Sequence, residues 1–197
     1  MENNNEQSQT KLSILDEAMI FAVNAHSGYM RKGSNIPYIL HPMEAAAIVA
    51  TMTDDEKVVA AAVLHDVVED TSVTIEDIKA KFGDYIAELV ASETENKRES
   101  QSKEETWRLR KQETIEHLMY STSREVKLLT LGDKLSNIRA IYKDYQAVGN
   151  DVWLRFNQKD SNEHAWYYKA VLEVTGDLHE YPAWQEFKRL VTIMFGE

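Results

Sequence analysis

Apolar positions recur at helical spacing in run after run along this chain, separated by short polar breaks. Leu12, Leu15, Met19, Ala22 and Val23 mark a first helix over 12–27. A polar loop, SGYMRKGSNIPYILHP, fills 27–42. Pro42 suits the first turn of the next helix, where its missing N–H is not needed, and that helix continues through MEAAAIVATM. Thr53 and Glu56 have the spacing of a capping box opening a helix through about Asp70. Thr74-Ile-Glu-Asp is a second start signal, Gly83 an interruption, and 85–91 a resumption. Residues 92–105 are polar and charged, which reads as a surface loop or as a lid beside a substrate. Helical periodicity returns over 105–120, 123–146, 161–175 and 183–195. Strand alternation is missing, apart from room for a small hairpin within 28–41. The pattern predicts one all-α bundle of about eight or more helices over 12–197, behind a polar tail at 1–11.

Composition narrows the chemistry. Seven glycines and three prolines in 197 residues leave few turns, in keeping with long helices and short loops. The absence of cysteine excludes disulfides, thiol nucleophiles and cysteine metal sites, and it fits a cytoplasmic location. No run of 18 apolar residues is present to cross a membrane, and the start, MENNNEQSQTK, lacks the apolar segment of a secretory signal. A net charge of −11 argues against a nucleic-acid partner, which would need a basic face. It leaves small anionic ligands open, because a few local cations or a metal can hold them.

Three segments carry candidate chemistry. In VVAAAVLHDVVED, Val58 to Leu64 is apolar on every side and expected to be buried all round. His65, Asp66, Glu69 and Asp70 follow it, within an arc of roughly 140° if the helix runs on. Three carboxylates so close would raise one another's pKa unless a cation joins them, and histidine with aspartate suits Mn²⁺, Fe²⁺ or Zn²⁺. A solvated acidic helix end is the plainer alternative. In EVKLLTLGDKLSNIRAI, Asp133 and Asn137 are helix neighbours within an apolar run, and a buried aspartate there needs a partner. An exposed Asp133 beside Lys134 is the plainer alternative. In RKGSNIPYILHP, Arg31 and Lys32 pair two cations beside Gly33, and His41 abuts Pro42. Paired cations near a metal are what a phosphate-rich substrate requires.

Taken together, the order His41, His65-Asp66, Asp133 resembles the HD phosphohydrolase superfamily. RKGSNIPYILHP, LHDVVEDT and LGDKLSNIR, in this order and spacing, are similar to the hydrolase domain of RelA/SpoT alarmone enzymes and to the free-standing small alarmone hydrolases, including the metazoan SpoT homologue. The likeness spans residues 12–142. The resemblance implies one metal, usually Mn²⁺, held by His41, His65, Asp66 and Asp133. It implies proton transfer and water positioning by Glu69 and Asp70, phosphate contacts from Arg31 and Lys32, and nucleotide-side positions for Tyr38 and Asn137. The activity implied is removal of the 3′-pyrophosphate from (p)ppGpp or from adenosine counterparts such as (p)ppApp. With the chain ending at 197, no synthetase or regulatory domain is expected to follow.

Other readings stay open. A nucleotide phosphomonoesterase would keep the same metal, and a non-catalytic nucleotide-binding or regulatory protein would keep the pocket alone. A dinuclear phosphodiesterase needs further histidines, and His117, His164 and His179 sit in no matching motif. Gly132 stands where the family commonly has alanine, a change expected to loosen the helix locally. His26 matches no ligand and is expected to pack or hydrogen-bond. Trp153, Phe156, Trp166, Tyr167 and Tyr168 form an aromatic group suited to the core or to base stacking. Arg108, Arg110 and Lys111, with Lys159 a weaker candidate, are placed either at a second phosphate or on a solvated helix face. Neither the base preference nor the oligomeric state is readable.

Overall fold

A computed structural model of the chain describes residues 11–96, 98 and 100–196. The expected polar tail lies outside these residues except for Lys11. Ten α-helical segments and two short 3₁₀ turns, at Gly149–Arg155 and Gly176–Leu178, make up the described structure, and no named strand occurs among the described residues. The all-α expectation holds.

Local chemistry explains the element ends. Ser13 and Asp16 form a reciprocal capping box at the start of α1 (Ile14–Ala25). α2 is Leu40–Val49, so Pro42 falls in its first turn, where backbone N–H groups have no intrahelical acceptor. The box expected from Thr53 and Glu56 does not form. Asp55 caps α3 (Glu56–Leu64) by accepting from Lys57 N, while Glu56 Oε1 accepts from Leu15 N and ties α3 to α1. Thr74 and Asp77 do build the box expected for α5 (Ile75–Phe82). Gly83 then turns with φ +88°, a conformation that favours glycine, into α6 (Asp84–Glu93). α7 is Trp107–Tyr120, and α8 is the 25-residue Arg124–Val148, about 37 Å long at 1.5 Å per residue. α9 (Ser161–Val174) and α10 (Pro182–Phe195) complete the bundle, with Pro182 at the first helical position.

α3 lies at the centre. Every side chain from Val58 to Leu64 is buried, as its all-round apolar pattern requires. α1, α2, α6 and α8 pack against it, and α10 closes the far side of α8. The helix expected to run on to Asp70 instead breaks after Leu64. His65 and Asp66 form a turn, with Asp66 at φ −94° and ψ −5°, before the single turn α4 (Val67–Asp70). The shared helical arc inferred for His65, Asp66, Glu69 and Asp70 therefore does not apply. The histidine and the aspartate leave a bend, which lets both face one point.

Gly132 is a second correction. A β-carbon there would lie 2.6 Å from Val49 Cγ2 and 2.9 Å from the Ala45 carbonyl oxygen. Glycine therefore permits α8 to close on α2 rather than loosening α8. The 28–41 loop contains the expected small hairpin, reduced to one antiparallel bridge between Met30 and Pro37, with Arg31 N donating to Ile36 O at 2.8 Å and Tyr38 N to Tyr29 O at 2.9 Å.

Candidate metal centre and cationic cleft

The three distant segments converge. His41 on α2 places Nε2 3.4 Å from Asp66 Oδ2 and 3.1 Å from Asp133 Oδ1. His65 places Nε2 3.1 Å and 3.7 Å from the same two oxygens. His41, His65 and Asp133 are buried, Asp66 partly so. Ligand atoms about 2.1 Å from one ion stand about 3.0–3.4 Å apart in octahedral or tetrahedral geometry. Three of the four spacings fall in that range, His65 to Asp133 at 3.7 Å being somewhat wider, and the His41, His65 and Asp133 triad is able to chelate a divalent metal.

Hydrogen bonds on the far side of each ring decide the donor set. His65 Nδ1 lies 2.8 Å from the Ala62 carbonyl, which can only accept, so the proton is on Nδ1 and the lone pair on Nε2. That Nε2 is buried with no hydrogen-bond partner among the described residues. His41 Nδ1 lies 2.8 Å from Ser136 Oγ, which gives its own proton to Glu44 Oε2 at 2.8 Å. Ser136 Oγ therefore accepts from Nδ1–H, and His41 too directs a lone pair from Nε2. Two imidazole lone pairs and two carboxylate oxygens aimed at one small space repel one another without a cation. This donor set fits a divalent metal with mixed nitrogen and oxygen preference. With protons as the only cations, burial opposes charge on His65, yet Asp66 and Asp133 raise its pKa well above the usual imidazole range. Burial likewise opposes the Asp66 and Asp133 carboxylates. The two imidazoles beside Asp66, and chiefly Lys134 beside Asp133, hold their pKa values well below the usual range.

The remaining expected residues surround this point. Tyr38 donates to Asp66 Oδ2 at 2.6 Å, and burial followed by the charges of Asp66 and Asp70 pushes its phenol pKa up. Asn137 donates to Asp133 Oδ1 and accepts from Arg31 Nη2 at 2.9 Å, linking the loop cation to the metal cluster. Lys32 donates to Asn157 Oδ1 at 3.0 Å. Glu69 accepts from Glu95 N at 3.4 Å, and Asp70 is close enough to hydrogen-bond the Tyr38 hydroxyl.

A cleft of about 560 Å³ opens beside His41, Tyr38 and Asn137. Its wall includes Arg31, Lys32, Lys111, Lys134, Arg139, Lys143 and Arg155, against Glu44 and Asp144 as its carboxylates. Nearly a third of the 22 lysines and arginines of an acidic chain thus line one cavity. Lys134, Arg139, Lys143 and Arg155 were not singled out from sequence. Lys134 stands next to Asp133, and Arg139 and Lys143 share one face of α8 at a four-residue spacing, so that signal is present in the sequence. Arg155 comes from a 3₁₀ turn with no periodic signal.

Other expectations are redistributed. Arg108 pairs with Glu163 and lies 3.4 Å over the Trp166 ring, and Arg110 is buried against Glu95 at 2.6 Å, so neither lines the cleft. Lys111 lines it while bonded to Glu95 at 2.6 Å. Lys159 is exposed and outside the cleft wall. Trp153 is core, stacked on His164 at 4.7 Å, whereas Phe156, Tyr167 and Tyr168 also face the cleft. His26 is buried against Tyr38, ring centres 5.0 Å apart, and neither ring nitrogen has a hydrogen-bond partner among the described residues. Its role is packing, and burial lowers its pKa.

Comparison with known proteins places this geometry. The family described as HD domain matches residues 18–160. A GTP pyrophosphokinase rsh of Brucella ovis is 35% identical over 132 residues, covering 66% of this chain and 17% of the relative. A guanosine-3′,5′-bis(diphosphate) 3′-pyrophosphohydrolase of Aquifex aeolicus is 34% identical over 130 residues, 65% of this chain and 18% of the relative. The chain thus spans about a sixth of the length of these curated relatives. Among solved structures, lmo0812 from Listeria monocytogenes EGD-e superposes with a TM-score of 0.68 at 34% identity, over 82% of this chain and 97% of that one. A metazoan ortholog of SpoT, described as hydrolyzing ppGpp, superposes with a TM-score of 0.77 at 25% identity, over 96% and 100%. The chain belongs to the HD-domain family and is related within it to the RelA/SpoT-type alarmone hydrolases.

Proposed function

We propose that the chain is a metal-dependent pyrophosphohydrolase that removes the 3′-pyrophosphate from (p)ppGpp or (p)ppApp, with Mn²⁺ as its metal. The observation that carries this reading is the meeting of two imidazole lone pairs and two carboxylates, 3.1–3.7 Å apart, at the edge of a cleft rich in cations. The pyrophosphohydrolase and SpoT relatives support the substrate class.

In this reading His41, His65, Asp66 and Asp133 hold the ion. A bound divalent ion supplies Lewis acidity, polarising a phosphoryl oxygen and lowering the pKa of water. Arg31 and Lys32 sit on the 28–41 loop and line the cleft. Their bonds to the neutral side chains Asn137 and Asn157 hold them in place without cancelling their charge. They neutralise charge on the pyrophosphate as it develops. Glu69 and Asp70 handle protons at the attacking water and the leaving ribose hydroxyl. Tyr38 keeps Asp66 oriented and forms part of the nucleotide side with Asn137. A cytoplasmic location and no nucleic-acid partner go with this reading.

The test incubates Mn²⁺-reconstituted protein separately with ppGpp, ppApp and nucleoside monophosphates. Pyrophosphate with GDP or ADP as co-product is expected. Orthophosphate from the monophosphates alone would assign a phosphomonoesterase. Stoichiometric binding without turnover would assign a sensor.

A further inference from the structure

Glu44 takes no part in the chemistry above, yet it stands at the middle of a hydrogen-bonded path that ends on a metal-facing imidazole. The path crosses three helices. Glu186 on α10 receives Arg139 Nε at 2.8 Å and Nη2 at 2.6 Å, a bidentate pair. Arg139 on α8 also donates Nη1 to Glu44 Oε1 at 3.0 Å. Glu44 on α2 accepts from Ser136 Oγ at 2.8 Å with its other oxygen. Ser136, back on α8 and 1% exposed, accepts from His41 Nδ1 at 2.8 Å.

We propose that Ser136 and Glu44, with Arg139 and Glu186 behind them, form a positioning relay that fixes the tautomer and angle of His41 and so sets how tightly the chain holds its metal. The inference rests on the metal-centre reading. Its logic is one of proton direction. A serine hydroxyl has one proton. While that proton goes to the Glu44 carboxylate, Ser136 Oγ can only accept, and His41 must carry its own proton on Nδ1. Nε2 then keeps its lone pair aimed at Asp66 and Asp133. Reversing the hydroxyl would let His41 hold its proton on Nε2, where it cannot ligate. Glu44 blocks the reversal because a carboxylate only accepts, and Arg139 holds that carboxylate in place with its bond to Oε1. His65 needs no such relay, since a backbone carbonyl does the same work. Partners of this kind on a ligating histidine typically change metal affinity by about 10–100-fold.

Glutamine at 44 is the informative change. Its amide has one accepting and one donating end, so it cannot accept from both Ser136 and Arg139. Ser136→Ala removes the hydroxyl outright. Metal-stripped wild type, Ser136→Ala, Glu44→Gln and the double variant are titrated with Mn²⁺ alone, reading free Mn²⁺ by its electron-spin-resonance signal. Each single variant is expected to bind about 10–100-fold more weakly. The double variant is expected to be no worse than Ser136→Ala, because both changes act on one path. Long-range proton–nitrogen correlation of the metal-free proteins reads the tautomer: Nδ1–H for His41 in wild type, and a loss or mixture of that pattern in Ser136→Ala. A merely structural serine would move stability and leave this signature in place. Unchanged Mn²⁺ affinity in Ser136→Ala, or losses that add in the double variant, would overturn the relay while wild type still binds metal. Wild type that takes up no Mn²⁺ would overturn the metal centre and the relay with it. Because no nucleotide is present, a wrong substrate assignment leaves the result unaffected.

Discussion

Gly132 faces Val49 with no space for a methyl group between them, since a β-carbon on Gly132 would come within 2.6 Å of Val49 Cγ2. The contact joins α8 to α2, and each helix carries a metal-facing residue close by: Asp133 on the one, His41 on the other. Gly132→Ala is expected to lower stability. The gain in helix propensity, about 1 kcal/mol, is outweighed by overpacking of about 1–3 kcal/mol against a branched side chain and a backbone carbonyl. It should also weaken metal binding, because the helices can relieve the clash only by moving Asp133 away from His41. Urea unfolding of the metal-free protein together with Mn²⁺ titration checks both parts. A more stable variant with unchanged metal affinity would show that the close approach is incidental.

Asp66→Ala removes an oxygen that faces both imidazoles. Metal-dependent turnover should fall by about three orders of magnitude, corresponding to about 4 kcal/mol of lost charge stabilisation. Helical circular dichroism should stay near wild type, because Asp66 lies in a turn between α3 and α4. Full activity in this variant would refute the assignment of Asp66 as a ligand.

Metal removal should be visible as stability. An ion that binds the folded chain alone adds about 2.7 kcal/mol when present at 100 times its dissociation constant. For a chain of this size that corresponds to roughly 5–10 °C in melting temperature. Melting curves in chelator and in graded Mn²⁺ measure it. Superimposable curves would argue that no ion binds the native state tightly.

Glu95 gives a pH dependence away from the metal. Burial opposes its charge, but Lys111, Lys134 and Arg110 more than compensate and pull its pKa down from 4.5 to about 2. A depressed carboxylate pKa stabilises the folded state above the unfolded value, and that stability is lost as pH falls through the folded one. The window here runs from about pH 4.5 to about pH 2, and the size is about 3 kcal/mol. Glu95→Gln should therefore be clearly less stable than wild type at pH 7, with the gap narrowing as the pH drops through this window. Denaturant unfolding at pH 7, 4 and 3 follows it. A gap that stays constant over that range would mean that Glu95 is not the titrating group.

Arg31→Gln should reduce kcat/KM for an alarmone substrate by about 10–100-fold, since a charge-assisted contact to phosphate becomes a neutral one. Metal affinity should change little, because Arg31 bonds none of the four ligands directly: it donates to Asn137 and lies over the Tyr38 ring. Equal kinetics in the variant would place the substrate phosphates elsewhere in the cleft.

Local patterns foretold much of this protein and stopped at definite points. The all-apolar run from Val58 to Leu64 announced a buried helix, and Thr74 with Asp77 announced a capped one. Both form as written. Thr53 with Glu56 carried an equally good local signal. It lost because Asp55 is better placed to cap and Glu56 is drawn to Leu15 N, a partner 41 residues away. The continuous arc expected through Asp70 failed for a similar reason, since a straight helix cannot turn both His65 and Asp66 toward Asp133. The plainer alternative, an exposed Asp133 beside Lys134, fails because the two are drawn inward together, the pair remaining charged because each is the other's partner.

The amino-acid sequence by itself determined which segments become helices, which helix is buried on all sides, and which imidazoles and carboxylates are available, because spacing and side-chain chemistry are local properties. Only the tertiary structure decided that α2 and α8 come close enough at Gly132 to bring His41 to Asp133. It alone decided that scattered cations from the loop, α7, α8 and the 3₁₀ turn after α8 share one cleft, and that Ser136 and Glu44 dictate where the His41 proton sits. Those outcomes depend on distances between residues on different elements, up to 95 positions apart for His41 and Ser136, and such distances are set by how whole helices pack.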